Sequence, residues 1–232
     1  MRIFVSPLEV GDLTVRGDEH HYLSRVRRAR TGDTIELVDG AGKRASATIV
    51  SIAEAETVLQ VRAVEAVPDL PPRVRVLLPL IKGDRMDTCI EKLVEVGVDE
   101  IVVWPAARAV VKLDGARRIS RVEHYQALAQ AAARQCGRAS VPSVAFADSL
   151  AAALAALPAG ARVVLDPSAE RGTMPGGDDV TLISGPEGGL APEEHDALAA
   201  ASFISIGLGP RILRAETAPV IAVALLRAAT SS

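Results

Sequence analysis

Two short runs near the C-terminus concentrate the residues that could do chemistry. The first is Ser184-Gly185-Pro186-Glu187-Gly188-Gly189 and the second is Ile206-Gly207-Leu208-Gly209-Pro210-Arg211-Ile212-Leu213-Arg214. Each ends an apolar stretch, Val180-Thr181-Leu182-Ile183 before the first and Phe203-Ile204-Ser205 before the second. Each therefore reads as a short buried strand that stops where the backbone must turn, and glycine turns most cheaply. Ligands bind at the carboxyl ends of strands in open α/β sheets, so two such ends define a candidate pocket.

The residue types narrow the ligand. A phosphate cradle uses backbone N–H groups with Lys and Ser or Thr in the pattern G-x-x-x-x-G-K-[ST]. In the first run Pro186 has no N–H to donate and Glu187 would repel a phosphate. The second run opens as G-x-G, but Pro210 follows and Ile212 stands where G-x-G-x-x-G needs its third glycine. A ligand with an adenosine end, no phosphate and a positive centre is better tolerated, and S-adenosylmethionine fits that description. Ordinary tight strand-to-helix turns would use the same residues.

Composition sets the frame for these runs. The chain has 232 residues, 49% hydrophobic and only 3% aromatic, with a mean hydropathy of +0.23. That is a globular chain of one large or two small domains. Its start, Met1-Arg2-Ile3-Phe4-Val5-Ser6-Pro7, is too interrupted for a signal peptide. The longest uncharged apolar stretch, residues 218–226, is half the length of a membrane span. Cys89 and Cys136 are isolated, without metal-ligand or disulfide spacing. The expectation is a cytoplasmic protein with no metal and no membrane contact.

Net charge is −3, yet residues 73–150 carry +3 while the segments before and after carry −2 and −4. Positive charge gathers at Arg25, Arg27, Arg28 and Arg30, at Arg108 and Lys112, and at Arg117, Arg118, Arg121, Arg134 and Arg138. The planar guanidinium fork suits phosphates and base faces. Solvated faces of an Arg-rich, Ala-rich chain would give the same pattern.

The elements that must position these groups divide near Val67-Pro68-Asp69-Leu70-Pro71-Pro72, a stiff extended linker. Before it, strands over 34–38, 44–50 and 57–64 follow a helix over 20–30 that projects its arginines outward. This makes a small β-barrel binding module spanning residues 1–68. The pair His20-His21 has no third ligand spaced to join it and reads as structural. After the linker, strands over 73–80, 100–105, 161–166, 180–184 and 203–208 alternate with helices over 86–96, 117–136, 150–157, 192 onward and 217–228. That alternation predicts an α/β layer fold with a mainly parallel sheet over residues 73–232. The last helix is apolar nearly all round, with Val220, Ile221, Val223, Leu225 and Leu226. It is expected to lie against the sheet on one side and a second subunit on the other.

The run from Leu182 to Glu194, together with Leu208-Gly209-Pro210-Arg211-Ile212-Leu213-Arg214-Ala215-Glu216-Thr217-Ala218, resembles the signature of the RsmE family of bacterial ribosomal RNA methyltransferases. Further matches are Lys82-Gly83-Asp84-Arg85-Met86 with Glu91-Lys92, Gly97-Val98, Arg108 and Gln135-Cys136-Gly137-Arg138. Ala215 departs from the Thr of the family's L-R-T-E-T-A run. The resemblance spans the whole chain. It implies a SPOUT-type fold with a deep C-terminal trefoil knot, helices on both faces of the sheet, a PUA-like N-terminal barrel and a homodimer. It also implies S-adenosylmethionine-dependent methylation of N3 of a uridine in small-subunit ribosomal RNA.

In such a fold the cofactor would be held by Leu165, Ser184, Gly185, Pro186, Glu187, Gly188, Ile206, Gly207, Leu208, Gly209, Leu213, Arg214 and Ala215, with Leu208 and Leu213 against the adenine faces. Arg214 or Arg211 would stabilise negative charge on the base, and Glu187 or Glu216 would accept its proton; Glu216 beside Thr217 would equally cap a helix. Arg25, Arg27, Arg28, Arg108, Arg134 and Arg138 would capture the RNA or the small ribosomal subunit. Two other readings stay open, a SPOUT enzyme acting on transfer RNA or another base, and a non-catalytic RNA-binding protein.

Overall fold

A computed structural model describes residues 1–68, 70–110 and 115–229. The chain forms two compact units, residues 1–69 with 133–141, and residues 70–132 with 142–232.

In the first unit a five-stranded sheet runs in the order β1-β3-β4-β5-β2. Its strands are β1 (Arg2–Phe4), β2 (Gly11–Arg16), β3 (Thr34–Val38), β4 (Lys43–Ile52) and β5 (Glu56–Ala66). The pairs β3·β4, β4·β5 and β2·β5 are antiparallel and β1·β3 is parallel. Register shifts between Ser46 and Ala47 and between Ile49 and Ser51 curl the long hairpin. Alternating Ile35, Leu37, Ala45, Ala47, Leu59 and Val61 fill the enclosed core. The three central strands match the sequence reading, whereas β1 and β2 carry too little alternation to be read from it.

The predicted helix over 20–30 is shorter and begins earlier. Helix α1 (Gly17–His21) continues as one wider π turn over Tyr22–Val26. The chain then leaves helical geometry, with Arg28 at φ 51°. Leu23 is buried in the sheet core while Arg25, Arg27, Arg28 and Arg30 are exposed. His20 is buried, its Nδ1 hydrogen-bonded to Thr57 Oγ1 at 2.9 Å and its Nε2 to the Glu54 carbonyl at 3.1 Å. Both ring nitrogens thus serve the fold.

In the second unit six strands, all parallel, run in the order β11-β9-β10-β6-β7-β8. They are β6 (Arg73–Pro79), β7 (Glu100–Trp104), β8 (Ser143–Phe146), β9 (Ala161–Leu165), β10 (Asp179–Ser184) and β11 (Ile204–Ile206). The helices are α2 (Asp84–Glu95), α3 (Gly115–Cys136), α4 (Leu150–Ala155), α5 (Pro192–Ala200) and α6 (Ala218–Ala229). Leu77, Val164 and Ile183 on one face of the sheet pack with Leu150 and Ala153 of α4 and Leu198 of α5. Val76, Val163 and Leu182 point the other way and are buried as well. Helix α6 packs against β10, β6 and α2.

Strand β8 has no counterpart among the strands that the sequence pattern predicts. It is a four-residue edge whose start is held by a side chain: Gln126 Nε2 donates to the Pro142 carbonyl at 3.1 Å and Gln126 Oε1 accepts from Val144 N at 2.9 Å. Helix α6 buries Ala222, Val223 and Leu226, but Ile221 and Leu225 are exposed. Among the described residues, no helix is long and apolar enough to cross a membrane.

Candidate active site

The strand order brings three carboxyl ends together. β11, β9 and β10 are neighbours, so the segments after Ile206, Leu165 and Ser184 rise side by side. The backbone ties them further: Asp166 N donates to the Ile206 carbonyl at 3.1 Å and Gly207 N to the Glu170 carbonyl at 2.9 Å. Between these segments lies a cavity of about 520 Å³, within the usual range for a small-molecule site.

Most residues expected to hold a ligand line this cavity. Leu165, Ser184, Gly185, Pro186 and Glu187 form one side. Ile206, Leu208, Gly209, Leu213, Arg214 and Ala215 form the other, with Arg211. Gly188 and Gly207 do not line it; each allows backbone to pass behind the wall. Glu216 does not line it either. Its Oε2 is buried without a hydrogen-bond partner among the described residues, and its carboxylate acts with burial to push the Cys89 thiol up to about 12.

Two lining groups, Arg85 and His195, escaped the sequence reading of the cavity. Arg85 lies in the first turn of α2, and its Nη1 stands 3.6 Å from Glu187 Oε1 across the cavity. His195 of α5 also faces it, as does Asp166, which closes the strand read over 161–166 and was expected at the cofactor with Leu165. The Ser168 hydroxyl donates to Asp166 Oδ1 at 2.6 Å and the Ser168 N–H at 2.8 Å. That hydroxyl bond, the backbone bond and the nearby His195 hold the Asp166 carboxyl below its ordinary range against a desolvation penalty. Arg85 belongs to the Lys82–Met86 run that matches the family signature, but its place at the cavity follows from the strand order, since pairing of β6 with β10 brings the β6–α2 connection alongside.

The cavity suits S-adenosylmethionine by its own chemistry. Leu165, Ile206, Leu208 and Leu213 supply apolar walls. Arg85, Arg214, Asp166 and Glu187 supply both signs of charge, as a zwitterion with a sulfonium needs. Ser184 is 3% exposed and its hydroxyl has no hydrogen-bond partner among the described residues, so it can bond a ligand.

The arginines assigned to RNA are placed unequally. Arg25, Arg27 and Arg28 are exposed beside one another in the first unit, with the Arg27 guanidinium 5.6 Å from the Tyr22 ring centre. Arg108 is exposed on the loop after β7, its Nη1 3.4 Å from the Gly188 carbonyl. Arg134 is half-buried, ion-paired with Glu19 and stacked 5.5 Å from the Phe4 ring centre. Burial raises the Glu19 carboxyl more than Arg134 lowers it. Arg138 is half-buried. Lys112 lies outside the described residues.

Residues 68–227 match the family described as an RNA methyltransferase domain, and residues 15–59 match the RNA methyltransferase PUA domain. The fold and cavity are thus those of an RNA methyltransferase with a PUA-like first domain. Across 94% of its length the chain is 33% identical to ribosomal RNA small subunit methyltransferase E of Mycobacterium bovis, covering 86% of that protein. It is 30% identical to the Bacillus subtilis protein of the same name, again over 94% of the chain and covering 90% of that protein. The crystal structure of ribosomal RNA small subunit methyltransferase E from Neisseria gonorrhoeae bound to S-adenosyl methionine superposes with a TM-score of 0.86 at 28% identity, covering 98% of this chain and 97% of that one. The chain belongs to the ribosomal RNA small subunit methyltransferase E family.

Proposed function

We propose that this protein uses S-adenosylmethionine to methylate N3 of a uridine in small-subunit ribosomal RNA. The observation that carries this reading is the cavity built from the ends of β9, β10 and β11, in a chain that aligns along nearly its whole length with a relative solved with S-adenosyl methionine. When bound, the cofactor supplies an activated methyl group on sulfur. The methyl–sulfur bond breaks as the bond to N3 forms, and the N3 proton leaves.

The chain's own groups supply the rest. Leu208 and Leu213 hold the adenine faces, and the backbone of the two glycine runs reads its edge. Fixing the reactants in line lowers the barrier by about 7–11 kcal/mol in favourable cases. Arg214, with Arg211 beside it on the same wall, stabilises negative charge on the uracil imide. Glu187 lines the cavity and Glu216 does not, so Glu187 is the better placed proton acceptor. Its pairing with Arg85 must loosen for that role.

Arg25, Arg27 and Arg28 of the first unit and Arg108 of the second contact RNA phosphates. The exposed Ile221 and Leu225 of α6 form part of a homodimer face. The path from β11 at the sheet edge back to α6 on β10 and β6 supports a trefoil knot. Action on ribosomal RNA sets the protein in the cytoplasm.

The test is methylation of small subunits and of naked ribosomal RNA from a strain lacking the activity, with the modified base mapped. Methyl transfer to a uridine N3 is expected. Transfer to another base, or to transfer RNA alone, overturns the substrate assignment, and absence of S-adenosylmethionine binding by calorimetry overturns the enzyme.

A further inference from the structure

Glu194 sits in the first turn of α5 and is 9% exposed. Its Oε2 accepts from Ala191 N at 2.7 Å, which caps its own helix. Capping needs one oxygen. The other, Oε1, accepts from Ala107 N at 2.7 Å, on the loop that follows β7 and lies 87 positions away in the chain. A carboxylate buried this deeply is tolerated only because both oxygens are bonded, so the second bond is a fixed joint between two loops.

The same two loops touch again beside it. A Cβ on Gly188 would lie 3.1 Å from Arg108 Cβ and 3.2 Å from the Arg108 carbonyl oxygen, so the absence of a side chain permits the approach. Arg108 Nη1 in turn reaches toward the Gly188 carbonyl at 3.4 Å. The turn over residues 185–189 therefore carries cavity wall on one side and Arg108 on the other.

We propose that Glu194 is a positioning residue that makes this turn and the Arg108 loop one body, so that filling the cofactor cavity and binding RNA through Arg108 are coupled. A ligand that orders the turn orders Arg108 through the joint, and by linkage RNA on Arg108 tightens the cofactor. The inference rests on the assignment of Arg108 to RNA and of the cavity to S-adenosylmethionine.

The test measures the affinity of the full chain for a small-subunit ribosomal RNA fragment, with and without saturating S-adenosylhomocysteine, by fluorescence anisotropy. The unsubstituted protein is expected to bind RNA about fivefold or more tightly with the cofactor product present, the lower end of ordinary couplings. Glu194→Gln turns an acceptor into a donor facing an N–H, and it is expected to bring that ratio near one while leaving cofactor-free RNA affinity in place. Gly188→Ala places a Cβ 3.1 Å from Arg108 Cβ and 3.2 Å from the Arg108 carbonyl oxygen, pressing apart the two loops that the Glu194–Ala107 bond joins. Gly188 has no positive φ, so alanine meets no backbone strain there, and the variant carries the test if Glu194→Gln does not fold. Calorimetry with S-adenosylhomocysteine on each variant separates lost coupling from lost cofactor binding.

A ratio of one in the unsubstituted protein overturns the proposal, as does an unchanged ratio in folded Glu194→Gln or in Gly188→Ala. If Arg108→Ala leaves RNA affinity unchanged, the Arg108 assignment fails and the coupling through it fails too, while the methyltransferase reading stands on the methylation assay.

Discussion

Gly207 and Ala169 stand so close that a Cβ on Gly207 would lie 2.2 Å from the Ala169 carbonyl oxygen. Next to that approach, Gly207 N donates to the Glu170 carbonyl at 2.9 Å. The segment after β11 thus runs flush against the segment after β9, and this closes one side of the cavity. Gly207→Ala is expected to force the two backbones apart, destabilising the fold by about 1–3 kcal/mol and abolishing cofactor binding. Chemical denaturation and calorimetry check both; an alanine variant with unchanged affinity would show that the approach is incidental.

Arg227, in the last turn of α6, is a second joint. Its guanidinium donates to Asp99 Oδ2, to the Gly97 carbonyl at 2.7 and 3.0 Å, and to the carbonyls of Leu70 at 2.6 Å and Pro72 at 2.8 Å. Arg227→Met leaves the largely buried Asp99 carboxylate without this partner, and loss of one member of such a pair costs about 3–5 kcal/mol. Denaturant melts should show that loss, with little dependence on salt. A shift below about 1 kcal/mol would mean that the pair is solvated.

Ser184→Ala separates structure from ligand binding. The hydroxyl has no partner among the described residues, so the ligand-free variant should be as stable as the parent or about 1 kcal/mol more stable. A lost hydrogen bond to the cofactor should weaken S-adenosylmethionine binding about threefold to tenfold. Thermal melts with and without cofactor read both effects. Equal affinity in the two proteins would remove Ser184 from the site.

The two thiols should differ sharply in reactivity. Burial first, and the nearby Glu216 carboxylate second, push Cys89 up to about 12, so almost none of it is thiolate at neutral pH. Cys136 is exposed. One thiol per chain should react with a disulfide reagent in the native protein and two in denaturant. Rapid reaction of Cys89 in the folded state would refute its burial.

Asp166 gives a pH signature with a definite sign. Its carboxyl is held low, chiefly by the Ser168 hydroxyl, so the charged form is favoured in the folded state. The stability this contributes is present above the ordinary carboxylate pKa of about 3.9 and is lost as pH falls through the lower folded value. Ser168→Ala should raise the Asp166 pKa toward the ordinary value in a carbon-detected NMR titration. An unmoved titration would assign the shift to another group.

Residue pattern alone marks the strands with clear alternation or continuous apolar character, the helices with apolar spacing such as Met86, Ile90, Leu93 and Val94, and the two glycine runs as strand ends. Those features are local, set by side-chain period and by the few residues that can turn sharply. β1, β2 and β8 are short pieces whose pairing is decided by partners distant in the chain, so no local pattern marks them. The helix predicted over 20–30 ended early because Leu23 is the residue its fold must bury, while the arginines that follow gain more from water.

Which strand ends are neighbours follows from the folded sheet and not from local pattern, and that neighbourhood makes the site. The order β11-β9-β10-β6 sets Arg85 opposite Glu187, places His195 and Asp166 in the cavity, and leaves Glu216 outside it. In the first unit, packing gave Arg134, read from sequence as an RNA contact, Glu19 as an ion-pair partner and the Phe4 ring as a neighbour. Charge and residue type are properties of the chain, but a partner within 4 Å is a property of packing, because parallel crossovers bring together residues separated by scores of positions.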